Sequence, residues 1–261
     1  MVVLLDAINV IINADDLGSS QEINQAVFDL IQSGKVTSAT LIANAPYLDE
    51  ACQLAENYPL CSFGAHLNLT QFSPISGSKG LGQLLNDDGE FTYDPIREVS
   101  VDSALSDAIF GEFCAQIQKL QASGVAVSHI DSHHNIHCMP SIFRVLKRVQ
   151  KRFQIRRVRL SRNIYGLSEK VSPLLRIQKT AYNFLLRHYY RTQTTQGFTD
   201  FQTFYEAVIS GRLDFHSVEA MTHPGSKIYA DESGILQTPW RENLGIPVRL
   251  ISYHDISLPL R

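Results

Sequence analysis

Ile8-Asn9-Val10-Ile11-Ile12-Asn13-Ala14-Asp15-Asp16-Leu17-Gly18 is an apolar, β-branched run that closes on two adjacent carboxylates and a glycine. Residues 8–12 read as a strand, and a helical pattern follows from about Ser20 to Ser33 before stopping at Gly34. Strand, turn and helix in that order are the start of a parallel α/β arrangement. The same alternation runs on along the chain. Further strand-type runs cover 37–43, 62–69, 125–131, 155–161, 218–222 and 247–253, and helical patterns cover 47–57, 102–123, 141–153 and part of 172–191. About seven strands in 261 residues predict an α/β fold, a distorted or incomplete (β/α) TIM-like barrel, as a single domain over residues 1–261.

The segment 71–98 breaks the alternation with Pro74, Gly77, Gly80, Gly82, Gly89 and Pro95. A long loop after a barrel strand lies on the face where substrate walls are built. With 44% hydrophobic and 19% charged residues the chain can bury a sizeable core. Cys52, Cys61, Cys114 and Cys138 form no CxxC pair and no disulfide framework, so a reducing, cytoplasmic setting is expected. Residues 1–5 are apolar but lack a basic leader, and they read as the approach to the first strand. No run approaches the ~18 apolar residues of a membrane span.

Three histidine- or carboxylate-bearing clusters close predicted strands. Asp15 and Asp16 end the first; adjacent carboxylates repel unless a metal or proton relay uses them, and the competing reading is an acidic helix N-cap. In Gly64-Ala65-His66-Leu67-Asn68-Leu69-Thr70, alternation puts His66, Asn68 and Thr70 on one face. In His129-Ile130-Asp131-Ser132-His133-His134-Asn135-Ile136-His137, four of the nine histidines of the chain fall within nine residues. His129, Asp131 and His133 share a face if that run is extended, which lets the carboxylate orient an imidazole. A fourth and weaker cluster is Met221-Thr222-His223-Pro224-Gly225, where a turn histidine could be a general acid or purely structural. In a parallel barrel all strand C-termini open on one side, so the clusters converge on a metal-centred hydrolytic site.

These motifs, in this order across residues 13–225, resemble the YdjC-like carbohydrate deacetylases, which include chitooligosaccharide deacetylases and a hopanoid-biosynthesis-associated branch. Leu17 stands where that family usually has Phe, and Asn135 where a further His is frequent. The resemblance implies a distorted barrel that removes N-acetyl groups from an amino sugar, a chitooligosaccharide or a lipid-linked N-acetylglucosamine, with one divalent metal ion, Mg²⁺ or Zn²⁺. By motif position Asp16, His66 and His133 would hold the metal, Asp15 would be the base and His223 the acid. Asn13, Asn68, His129, Asp131 and His137 would orient these groups or contact substrate. Two imidazoles suit zinc better than magnesium. A homodimer is compatible with the resemblance. The competing readings are a non-catalytic sugar- or metal-binding barrel and a metal-dependent esterase or phosphoesterase.

Charge is sharply segregated. Residues 1–140 hold 4 Lys/Arg against 17 Asp/Glu, whereas residues 141–191 hold 14 against the single Glu169. On the helix over 141–153, Ile142, Val145, Leu146, Val149 and Phe153 form an apolar face, and Arg144, Lys147, Arg148, Lys151 and Arg152 a basic one. This segment reads as a solvated face packed on the barrel or on a second subunit, or as peripheral contact with an anionic inner-membrane surface. No nucleic-acid-binding motif accompanies the charge.

Overall fold

The computed structural model describes residues 7–190 and 192–256. Residues 1–6, read from sequence as the approach to the first strand, lie outside the described residues.

Among the described residues seven parallel strands form a curled sheet: β1 (Ile8–Leu17), β2 (Ser38–Leu41), β3 (Ser62–Leu67), β4 (Ile130–Ser132), β5 (Gly197–Asp200), β6 (Ser217–Thr222) and β7 (Val248–Leu250). They run in the order β4-β3-β2-β1-β6-β5, and β7 also pairs with β1. β1 is shared in an uncommon way. β6 follows it from Asn9 to Ala14, while the other edge is divided between β7, opposite Ile8 to Val10, and β2, opposite Asn13 to Leu17. The sheet's open side is bridged by single pairings, Ile130 with Val158 and Arg157 with Gln193. The expected distorted, incomplete barrel is therefore what forms.

Eight helices surround the sheet among the described residues: α1 (Gln21–Gln32), α2 (Leu48–Ala55), α3 (Tyr93–Glu98), α4 (Ser103–Ala122), α5 (Pro140–Phe153), α6 (Pro173–His188), α7 (Phe201–Ile209) and α8 (Ala230–Gln237). Their starts follow ordinary capping chemistry. Ser20 caps α1 by accepting from the Ile23 N–H at 3.2 Å, and Asp102 and Ser172 do the same for α4 and α6. Ser20 thus holds the post that the N-cap reading gave to Asp15 and Asp16, and leaves both carboxylates free for other work.

Several expected elements are corrected. The run 155–161 makes single bridges in place of a regular strand, because its backbone bonds are divided at 157–159 between Ile130 on one side and Gln193 on the other. The strand expected over 125–131 is confined to Ile130–Ser132. β5 was not expected: Gly197-Phe198-Thr199-Asp200 is too short to show a period. β3 stops at Leu67, so Asn68 and Thr70 sit in the turn beyond it. The 71–98 loop contains α3 and is anchored by buried Glu112, which accepts from the Ile75 and Ser76 N–H groups at 3.1 and 2.8 Å.

Candidate active site

The register of β1 and β2 creates the site. Ala14 pairs with Ala39 and Leu17 with Leu41, so Asp15 and Asp16 together oppose Thr40. This is a bulge, and Asp16 takes it up with φ of 66°, a left-handed value costly for any residue but glycine. In a regular strand neighbouring side chains point to opposite faces. The bulge breaks that rule and brings both carboxylates to the C-terminal mouth of the barrel.

Asp16 meets two histidines there. Its Oδ1 lies 3.2 Å from His66 Nε2, on β3, and 2.8 Å from His133 Nδ1, in the turn after β4. His133 reaches it because the chain leaves β4 in a tight turn, with His134 and Asn135 at φ of 53° and 54°. Burial opposes ionisation of Asp16, but hydrogen bonding to His133 and then His66 outweighs it and holds the carboxyl well below its ordinary range.

Asp15 is buried one step deeper and faces Arg159. Nη1 and Nη2 of the guanidinium donate to its two oxygens at 2.7 and 2.6 Å, and the Asn13 amide donates to Oδ1 at 2.8 Å. Burial raises its pKa, but the charge of Arg159 and this bidentate bond bring it down to about 2. The same guanidinium reaches Asp131 Oδ2 at 2.8 Å and Glu219 Oε1 at 2.7 Å. Asp131 also accepts from Thr40 at 3.0 Å and holds His66 Nδ1 at 2.7 Å. Asp131 does orient an imidazole, and it is that of His66, its register partner on the neighbouring strand. Against burial, Asp131 and then Asp15 raise His66 to about 10.

The remaining expected residues take distinct places. His129 is fully buried, stacked 3.7 Å from the Tyr253 ring, with Nδ1 2.8 Å from Ser128 Oγ and Nε2 3.3 Å from Asn13 Oδ1. It positions the asparagine that holds Asp15. Burial and then Arg159 push it well down, so it is neutral. A Cβ at Gly64 would stand 2.5 Å from this ring, which is why glycine occurs there. His137 bonds Ser132 Oγ at 2.6 Å, and burial lowers it to about 3; it braces the histidine turn from behind. Asn68 gives its side chain to the loop, accepting from Thr70 N–H at 2.9 Å and donating to Asn44 Oδ1 at 3.0 Å. His223 follows β6 and stacks 4.2 Å from Tyr229. Its Nδ1 lies 4.0 Å from Glu232 Oε2, an ion-pair distance beyond hydrogen bonding. Burial works against its protonated form, but Glu232, Asp15 and Asp16 outweigh it and raise its pKa. Gly225 fixes this turn, since a Cβ there would lie 2.9 Å from the Glu22 carbonyl oxygen.

Thr40, Arg159, Glu219 and Tyr253 are site residues that the motif reading missed. Arg159 was visible only as one of the basic run, yet it stands between Val158 and Leu160 as Glu219 stands between Val218 and Ala220. A charge inside a short apolar run is the signal that could have found both.

Asp16, His66 and His133 present donor atoms within 4.8 Å of one another, as do Asp15, His66 and Asp131. The first group fits a divalent cation better. His66, common to both, has its Nδ1 held by Asp131 and turns Nε2 toward Asp16, whereas Asp15 and Asp131 of the second group are committed to Arg159.

A parallel, incomplete barrel with an Asp-His-His cluster at its mouth defines an α/β protein with a candidate cation site. The YdjC-like protein family model matches residues 9–244, and the chain belongs to that family. A carbohydrate deacetylase of Brevibacillus brevis is 30% identical over 94% of this chain and 92% of its own length. A carbohydrate deacetylase of Geobacillus stearothermophilus is 38% identical over 154 residues, which span 58% of this chain and 60% of that protein. Among solved structures, a putative cellobiose-phosphate cleavage protein from Enterococcus faecalis shares the fold with a TM-score of 0.74. The two are 24% identical, over 95% of this chain and 98% of that one.

Proposed function

We propose that this chain is a hydrolase that removes the acetyl group from an N-acetylated amino sugar, free or lipid-linked, with one divalent cation held by Asp16, His66 and His133. The observation that carries the proposal is the bulge at Asp15 and Asp16, which aims one carboxylate at two imidazoles and the other at Arg159. A cation held by Asp16, His66 and His133 would supply Lewis acidity toward the acetyl carbonyl and a water. Zinc suits the two-imidazole set better than magnesium.

The residues divide the remaining work. Asp15 is ionised throughout the physiological range, and its Oδ2 accepts from Arg159 Nη1 on one side only. It takes a proton as water attacks the amide carbon. Arg159 and Asn13 fix its direction at the cost of basicity. His223, favoured in its protonated form by Glu232, gives a proton to the departing amine. The products are acetate and a free amino sugar. Tyr93, 4.5 Å from His134, and Tyr229, beside His223, stand at the rim as apolar faces for a pyranose ring.

Acetate release from N-acetylglucosamine oligomers and N-acetylated glycolipids, measured before and after chelation and again after adding zinc, is the test. Chelation should abolish release and zinc restore it. Release from O-acetyl or phosphate esters with none from N-acetyl sugars would replace this reading with an esterase or phosphoesterase.

A further inference from the structure

α6 rests on the molecule through a narrow seam of Tyr182, Asn183 and Leu186. The opposite face carries Leu174, Ile177, Phe184 and Leu185, each between 51% and 66% exposed. Apolar side chains at this spacing on the outside of a helix form a contiguous patch that water does not favour. Cations stand at both ends of it. Lys151 and Arg156 lie 5.2 and 5.6 Å from the rings of Tyr189 and Tyr190, beyond its C-terminal end. Arg176 and Lys179 lie 4.9 and 5.4 Å from the Tyr165 ring near its start. Neither α5 nor α6 contains an Asp or Glu.

This charge decides what covers the patch. A symmetric contact with a second copy would press Lys151, Arg156 and Arg176 against the same cations of the other copy, with no acid on either helix to answer them. Nucleic acid would satisfy the cations but leave aliphatic Leu174, Ile177 and Leu185 without anything to stack on. An anionic lipid surface satisfies both features, because headgroups meet the cations while acyl chains take the apolar face. Spanning is not involved: among the described residues no helix is long and apolar enough to cross a membrane.

We propose that α6 lies in the plane of an anionic phospholipid surface, with Leu174, Ile177, Phe184 and Leu185 entering the acyl boundary and Lys151, Arg156 and Arg176 among the headgroups. The contact is independent of the reaction assigned to the barrel mouth. The test is co-sedimentation of the full chain with vesicles of phosphatidylcholine alone or with about one-third phosphatidylglycerol, at low and high salt. Binding should require the anionic lipid, weaken in high salt, and fall roughly tenfold or more in the Ile177→Ser/Phe184→Ser variant. Both positions are exposed, so this variant keeps the wild-type melting temperature and deacetylase activity. Absence of binding at low salt, or equal binding by the variant, overturns the proposal. A lipid-independent dimer that the same variant converts to monomer, without vesicle binding, overturns it in favour of a second copy.

Discussion

Two buried cations hold this molecule together in opposite ways. Arg159, inside the barrel, is ringed by Asp15, Asp131 and Glu219. Lys147, in the seam between α5 and α6, donates to Gln150 Oε1, the Leu186 carbonyl and Thr192 Oγ1 at 2.8, 2.9 and 2.7 Å, all neutral oxygens. Burial works against both charges. Three carboxylates outweigh it for Arg159 and raise its pKa well above the ordinary value, whereas among the described residues no carboxylate does so for Lys147, which falls to about 7. Arg159 therefore carries a permanent charge that can aim a reaction, even though burial pushes its partner Glu219 up to about 7. The helix seam uses a cation that can be discharged, and it serves only to fasten the appended basic segment.

The sharpest division within the barrel is between the two neighbouring carboxylates. Asp15→Asn should lower acetate release on the order of 10³-fold while zinc still binds, since it removes a proton acceptor and spares the proposed ligands. Asp16→Ala should lose zinc and activity together. Calorimetric zinc titration of both variants separates the roles, and equal zinc affinity in the two would erase the distinction between base and ligand.

Arg159→Met is expected to be the most damaging change to the fold. It leaves Asp15, Asp131 and Glu219 buried without their shared partner, at a cost of about 3–5 kcal/mol in urea unfolding. A loss under 1 kcal/mol would mean that the three carboxylates are held by their other partners alone. Asp131→Asn is milder: the fold persists, and zinc affinity should drop about 10- to 100-fold because His66 loses the carboxylate that orients it.

How much of this was legible in the sequence follows from range. The clusters at Asp15–Asp16, His66, His129–His137 and His223 were readable because strand ends in a parallel barrel share one side, whatever the details of pairing. What the bulge does was not readable. Asp16 leaves the alternation only because β2 offers one residue, Thr40, against two, and a register is a property of two segments 25 residues apart. Arg159 was hidden for a related reason. It belongs by sequence to a run of surface-type cations, and its three partners come from β1, β4 and β6. Composition placed the positive charge in 141–191, yet it could not tell that one of those arginines faces inward to Asp15, Asp131 and Glu219.

Lys147 offers the smallest and cleanest test of the contrast. With a folded pKa of about 7 against an ordinary 10.5, the native state binds fewer protons than the unfolded chain between those values. Stability from this group therefore rises as pH increases from about 7 to 10.5, and is flat below 7 where both states are protonated. Lys147→Met removes the titrating group and keeps most of its volume. Urea midpoints for the two proteins at pH 6.5, 8 and 9.5 should diverge progressively in favour of the wild type, because only its seam gains by losing a proton. Arg159 has no such window, being charged in both states across this range. A constant offset between wild type and Lys147→Met would show that the three oxygens around Lys147 sustain its charge after all. The seam would then differ from the barrel interior only in the number of its carboxylates.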